Sequence, residues 1–199
     1  MKMLRGPASI CRRFVGSTRG VAAIEFAMIM PVLLLLFLST FDAGNAIAVY
    51  MKVRAATYTL AAITNTYGST STNAISTTNM TAITGATSAV LAPYSNTPTV
   101  VVISQIKATS ATAAVVSWSY AVNGTALTPG ATFTSLPTSF ASNSCGGTYP
   151  CYVIFAQVSY SFTPAFGAFL TGPITLSDSL YVTPRSSVCI VYNSVPSAC

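Results

Sequence analysis

A run of sixteen uncharged residues, Phe26 to Phe41 (FAMIMPVLLLLFLSTF), most constrains what this chain can fold into. Taken from Val21, residues 21–41 make a helix of about 31 Å at 1.5 Å per residue, which matches a hydrocarbon core of about 30 Å. A lone acid, Glu25, stands at the mouth of the run. A carboxylate this close to a membrane-length apolar segment is costly to bury, so it is expected to carry a function. Pro31 lies inside the span. It removes one backbone donor and crowds the carbonyl of Ala27, which predicts a kink of a kind that membrane helices tolerate.

The formal charge of +6 belongs to one end of the chain. Lys2, Arg5, Arg12, Arg13 and Arg19 all precede residue 21. Beyond Gly20, Lys52, Arg54, Lys107 and Arg185 stand against Glu25, Asp42 and Asp178, a net of +1. A basic arm directly before an apolar helix is a topology signal: the arm stays in the cytoplasm and the other end crosses. Nucleic acid is not expected as a partner. Outside the run the chain is rich in Ser, Thr, Asn and Gly, which suits an exported protein.

The 199 residues divide into five stretches. Residues 1–20 form the basic leader and 21–41 the transmembrane helix. Residues 42–63 continue that helix beyond the membrane: they are alanine-rich and free of proline, and Ile47, Tyr50, Met51, Arg54 (its stem), Tyr58, Ala61 and Ala62 recur near the helical period. Residues 64–98 form a polar linker, with a short helix expected over Asn79–Leu91 before Pro93. From Thr99 the period becomes two. Strands are expected at 99–107, 112–122 and 152–162, at Ile174–Val182 with an interruption at Asp178, and at 187–192. In the second, Ala114, Val116, Trp118, Tyr120 and Val122 are expected on one face. Residues 124–150 read as a long loop. The fold class is therefore α+β: a long N-terminal helix whose outer half lies on an antiparallel sheet of four or five strands, residues 99–199.

Cys145, Cys151, Cys189 and Cys199 lie far beyond the helix, in a region expected to be exported. Four such cysteines suggest two disulfides, with three possible pairings. Closeness in sequence favours Cys145–Cys151, across Gly146-Gly147, and Cys189–Cys199; free buried thiols are the alternative. Neither pair has C-x-x-C spacing and the chain has no histidine, so no metal site is expected. Without histidine there is no Ser-His or Cys-His dyad, and Asp178 has no carboxylate partner for acid–base work. No glycine loop beside a lysine offers a phosphate cradle. No cofactor and no enzymatic activity are expected. Trp118, Tyr120 and Tyr160 read as sheet core, with an exposed adhesive patch as the alternative; the aromatic stretch FTPAFGAFL at 162–170 reads as core or as an exposed turn facing partners or lipid.

The spacing Gly20-x-x-x-x-Glu25-Phe26 before an apolar helix resembles the processing site of type IV prepilin-like proteins. With the whole stretch TRGVAAIEFAMIMPVLLLLF, the chain resembles pseudopilins of the tight-adherence (Tad) pilus, TadE/TadG type. Weaker likenesses are LAPY at 91–94, VVSWS at 115–119, VSYSFTP at 158–164 and the pair Pro184-Arg185. The resemblance implies a pilin-like architecture and single-pass insertion in a bacterial inner membrane. The N-terminus would be cytoplasmic and the β domain periplasmic or extracellular. It implies cleavage by a prepilin peptidase between Gly20 and Val21, and an assembly role for Glu25, whose carboxylate would pair with the new terminal amine of a neighbouring subunit. The implied partners are other pilin or pseudopilin subunits, the peptidase and the Tad inner-membrane platform. The chain is longer than a major pilin of this kind, which implies a minor or accessory subunit. A different class stays open beside it: an uncleaved single-pass surface protein whose β-rich ectodomain binds a ligand or substratum.

Overall fold

The computed structural model describes residues 20–69, 74–94 and 99–193. The leader before Gly20 and Cys199 lie outside the described residues. Helix α1 runs from Val21 to Thr64, 44 residues that continue through Pro31 without a break. It ends where the polar Thr-Asn-Thr run begins, with Asn65 N–H donating back to Ala61 O at 3.0 Å. Helix α2, Thr77–Leu91, starts two residues earlier than expected because Ser76 caps it: Ser76 Oγ accepts from Asn79 N–H at 3.1 Å. Its end at Leu91 precedes Ala92-Pro93, a dipeptide that disfavours helix.

Strands β1 (Thr99–Ala108), β2 (Ala114–Val122), β3 (Cys151–Phe162) and β4 (Ile174–Val182) form one antiparallel sheet in the order β2-β1-β3-β4. Between β2 and β3 the chain crosses the sheet and carries helix α3, Thr138–Cys145, where only loop was expected. A single turn of helix, α4 (Ala168–Thr171), sits in the β3–β4 connection. β4 is continuous: Asp178 pairs with Val158 without interruption, and its charge acts on Arg54 of α1.

Both faces of the sheet are covered. On one, Val101, Ile103, Trp118, Ile154, Ala156, Val158 and Tyr160 pack against Val49, Val53, Ala56 and Leu60 of α1 and Met80, Ile83 and Leu91 of α2. Fully burying each Val or Leu of that helical stripe contributes about 1.5–3 kcal/mol. On the other, Ile106, Val116 and Phe155 are covered by Leu127, Phe133 and Leu136 from the crossover. The register of β1 against β2 shifts between Gln105 and Ile106: Gln105 faces Trp118 but Ile106 faces Val116. The extra residue turns β2 over. Ala114 and Val116 therefore lie on the crossover side and Trp118, Tyr120 and Val122 on the helix side, not all on one face as the alternation suggested.

The helical face of α1 is also different from the one the large side chains mark. Ile47, Tyr50, Met51 and Tyr58 are exposed, and the buried stripe is Val49, Val53, Ala56, Thr57, Leu60, Ala61 and Thr64. Small and β-branched residues allow the close approach to the sheet that bulky ones would prevent.

The segment expected as a fifth strand is not one. Residues 187–191 run irregularly, and Tyr192 makes an isolated parallel bridge to Ile75. Fully buried Ile190 is held by side chains instead: its N–H donates to Gln105 Oε1 at 2.6 Å, and its carbonyl accepts from Trp118 Nε1 at 2.8 Å. Both polar groups of one buried peptide segment are thus satisfied without a ladder.

Gln105→Leu orphans the buried Ile190 N–H and should lower stability by about 1–3 kcal/mol in thermal or chemical melts of the detergent-solubilised chain. Tyr160, Tyr181 and Tyr192 are all held above the ordinary phenol range, first by burial. The folded state therefore keeps protons that the unfolded tyrosines lose near pH about 10, so stability should be intact below that pH and fall as pH rises beyond it. Melting midpoints that decline from there upward, with tyrosinate absorbance growing in the same transition, are the expected result.

Candidate functional site

Gly20 precedes α1 and Val21 is its first residue. Glu25 lies four residues on, one helical turn away on the same face as Val21. Gly20, Val21 and Glu25 are all exposed, as is nearly the whole of residues 21–41; Leu38 alone is half-buried. None of the most apolar eighteen-residue window of α1 is buried, and the helix is long and apolar enough to cross a membrane. Ala22, Ala23 and Ala27 leave the helix surface near Glu25 shallow, so a second helix can approach closely.

The acid that the structure does engage is Asp42, one residue past the apolar run. It is buried although it sits on the helix surface, because the β3–β4 connection folds over it. Its Oδ1 accepts from Ala165 N–H at 3.0 Å, and its Oδ2 from Phe166 N–H at 3.0 Å and Gly167 N–H at 2.7 Å. Three successive amides converging on one carboxylate form an anion nest, filled here from within the chain. A Cβ at Gly167 would lie 3.3 Å from Oδ2, so glycine lets the backbone reach the acid. Beside this clamp the rings of Phe41 and Phe166 meet edge to face, with centroids 5.7 Å apart. Sequence reasoning counted Asp42 only as a charge. The available signal was a carboxylate abutting an apolar run, which must find donors, and the uncharged Pro-Ala-Phe-Gly turn that supplies them.

Of the cysteines, Cys145 and Cys151 are joined, with Cα atoms 5.6 Å apart, and tie the end of α3 to the start of β3. Cys189 is buried and is also half of a disulfide, while Cys199, expected as its partner, lies outside the described residues. No group of three or more His, Cys, Asp or Glu side chains able to hold a metal occurs among the described residues. Trp118 and Tyr160 are core, not an adhesive surface. The stretch at 162–170 divides: Pro164 is buried and Phe166 is exposed.

Asp42→Asn leaves one side-chain oxygen for three donors and turns an amide NH2 toward them. It should cost about 1–3 kcal/mol. Hydrogen exchange should quicken at Ala165, Phe166 and Gly167, while the amides of the β1–β3 ladder keep their protection.

Residues 20–62 match the family model described as TadE-like protein. No curated protein and no solved structure matches the chain. The matched residues include Gly20, Val21, Glu25, Pro31 and Asp42 and cover nearly all of α1. The likeness to TadE-like proteins thus lies in the long helix, and α2 and the sheet fall outside the match.

Proposed function

We propose that this chain is a pseudopilin-like minor or accessory subunit for assembly of a Tad-type adhesion pilus or secretion system, processed by a prepilin peptidase between Gly20 and Val21. The observation that carries this reading is the position of Glu25: one turn beyond the first residue of an uncovered apolar helix, within the TadE-like stretch. Cleavage after Gly20 gives α1 a free terminal amine on Val21. An ammonium at a helix N-terminus opposes the helix dipole, and a carboxylate nearby offsets it. In a bundle of such helices, Glu25 of one subunit pairs with the Val21 amine of its neighbour. Each charge alone in an apolar setting would cost several kcal/mol, so the pairing both permits burial and sets the axial register between subunits.

The outer half of α1 supports the same reading. Exposed Ile47, Met51 and Tyr58 form a stripe opposite the face that holds the β domain. On an ideal helical wheel Glu25 falls about 60° from the centre of that stripe, at the azimuth of Ala61 on the border of the buried face. On this reading the chain crosses the inner membrane once, with the arginine-rich leader cytoplasmic and the β domain periplasmic. Its partners are other pilin or pseudopilin subunits, the peptidase and the Tad platform.

N-terminal sequencing of the protein extracted from membranes should begin at Val21; retention of Met1 would remove the proposal. Glu25→Gln should reduce incorporation into assembled pili at least about tenfold, the equivalent of 1.4 kcal/mol, while membrane insertion persists. An uncleaved anchor for a ligand-binding domain would be indifferent to that change.

A further inference from the structure

We infer that the tip of the β3–β4 hairpin, residues 164–171, is a membrane-surface contact, so that the β domain touches the bilayer at a second point beside α1. The inference rests on residues 21–41 being the membrane span. The tip is fixed to the helix by Asp42, the first residue past that span, through the three amides of Ala165, Phe166 and Gly167. A clamp at this position sets the tip at the level of the bilayer surface, whatever the rest of the domain does.

The groove beside the tip extends below that level. A groove of about 310 Å³ is walled by Leu35, Leu38 and Ala46 of α1 on one side and by Phe162, Pro164 and Ile174 of the hairpin on the other. Leu35 lies about 10 Å nearer the N-terminus along the helix than Asp42. The helix wall of the groove runs about 16 Å from Ala46 to Leu35, so its lower end opens within the 5–10 Å below Asp42 to which apolar faces enter the headgroup and acyl boundary. The chemistry of the tip fits. No charged residue occurs from Phe162 to Ile174. Phe166 is 46% exposed, Phe41 52% and Ile174 40%, and the two phenylalanine rings together form an aromatic pair at the end of the span. Phenylalanine is among the residues that interfacial apolar faces present to this boundary. The groove and the pair are continuous with the exposed apolar surface of residues 21–41, so the occupant the geometry points to is lipid: an acyl chain of the leaflet on the domain's side.

The full chain in phosphatidylcholine vesicles tests this with acyl-chain-brominated lipid as a quencher. Trp118 is the only native tryptophan and is buried, so it supplies a constant background. Leu35→Trp reports the span and Phe166→Trp the tip. Phe41→Trp repeats the tip measurement from the helix side if the hairpin variant folds poorly. The expected result is that bromolipid quenches the added emission of both Leu35→Trp and Phe166→Trp roughly twofold, while aqueous iodide leaves both unchanged. Three results overturn the inference. With Leu35→Trp quenched by bromolipid, quenching of Phe166→Trp by iodide alone places the tip in water and leaves the span standing. Protection of Phe166→Trp from both quenchers means protein covers the tip, as a second copy of this chain would. Failure of bromolipid to quench Leu35→Trp removes the span itself and the inference with it.

Discussion

The whole structure hangs on α1 being one continuous helix, with an uncovered apolar half and a half that carries the domain. An apolar backbone segment in lipid has to satisfy its own N–H and C=O groups, and a helix does so along its entire length. Continuing the same hydrogen-bond ladder beyond Phe41 avoids any irregular chain at the boundary. It also brings Val49, Val53, Ala56 and Leu60 out as a ready-made stripe on which the sheet and α2 condense. The join between the two halves falls at Asp42. A buried lone carboxylate there would be costly, and the β3–β4 connection resolves the cost by turning three amides toward it. The domain is thereby fixed to the helix at both ends: through Asp42 near the apolar half, and near the far end through Asn65, whose Oδ1 accepts from Arg185 N–H at 2.8 Å.

What the sequence made legible follows from which patterns have a single physical cause. The apolar run could only be a long helix, and β3 alternates from Gln157 to Phe162 after a wholly apolar start, so both were readable to within a residue or so. Where a pattern has two causes it misleads. Large apolar side chains occur on opposite sides of residues 47–60, and bulk pointed to Ile47, Met51 and Tyr58 when the buried side was the small one. β1 and β2 are covered on both faces, so hydrophobicity did not reveal the shift at Gln105/Ile106 that turns Val116 away from Trp118. The apolar alternation around Ile190 resembles a strand, but Ile190 is held by the side chains of Gln105 and Trp118, and the segment's pairing stops at an isolated bridge with Ile75. α3 hid in a Ser/Thr-rich stretch because an eight-residue polar helix has little pattern to show.

The candidate site divides the same way. The placement of Val21 and Glu25 one turn apart was readable because it is local: spacing along one helix fixes it. Asp42 was not, because its partners are backbone amides more than a hundred residues away, and backbone donors leave no trace in composition. The tertiary fold alone turns an ordinary aspartate into the fastening between two parts of the molecule.

The placement of bulk on α1 carries one more consequence for the proposed role. A helix that served only as an anchor would have no reason to keep large apolar side chains outward once it had left the membrane; water there favours polar residues. Ile47, Met51 and Tyr58 remain exposed, with Lys52 and Arg54 close beside them. Large apolar side chains recurring along one side of a helix are a candidate contact surface, here with Arg54 lying over the Tyr58 ring at 5.8 Å. The sheet already occupies the opposite face through Val49, Val53, Ala56 and Leu60, so whatever covers the outward stripe comes from another molecule. On the proposed assembly reading, the helix of a neighbouring subunit covers it.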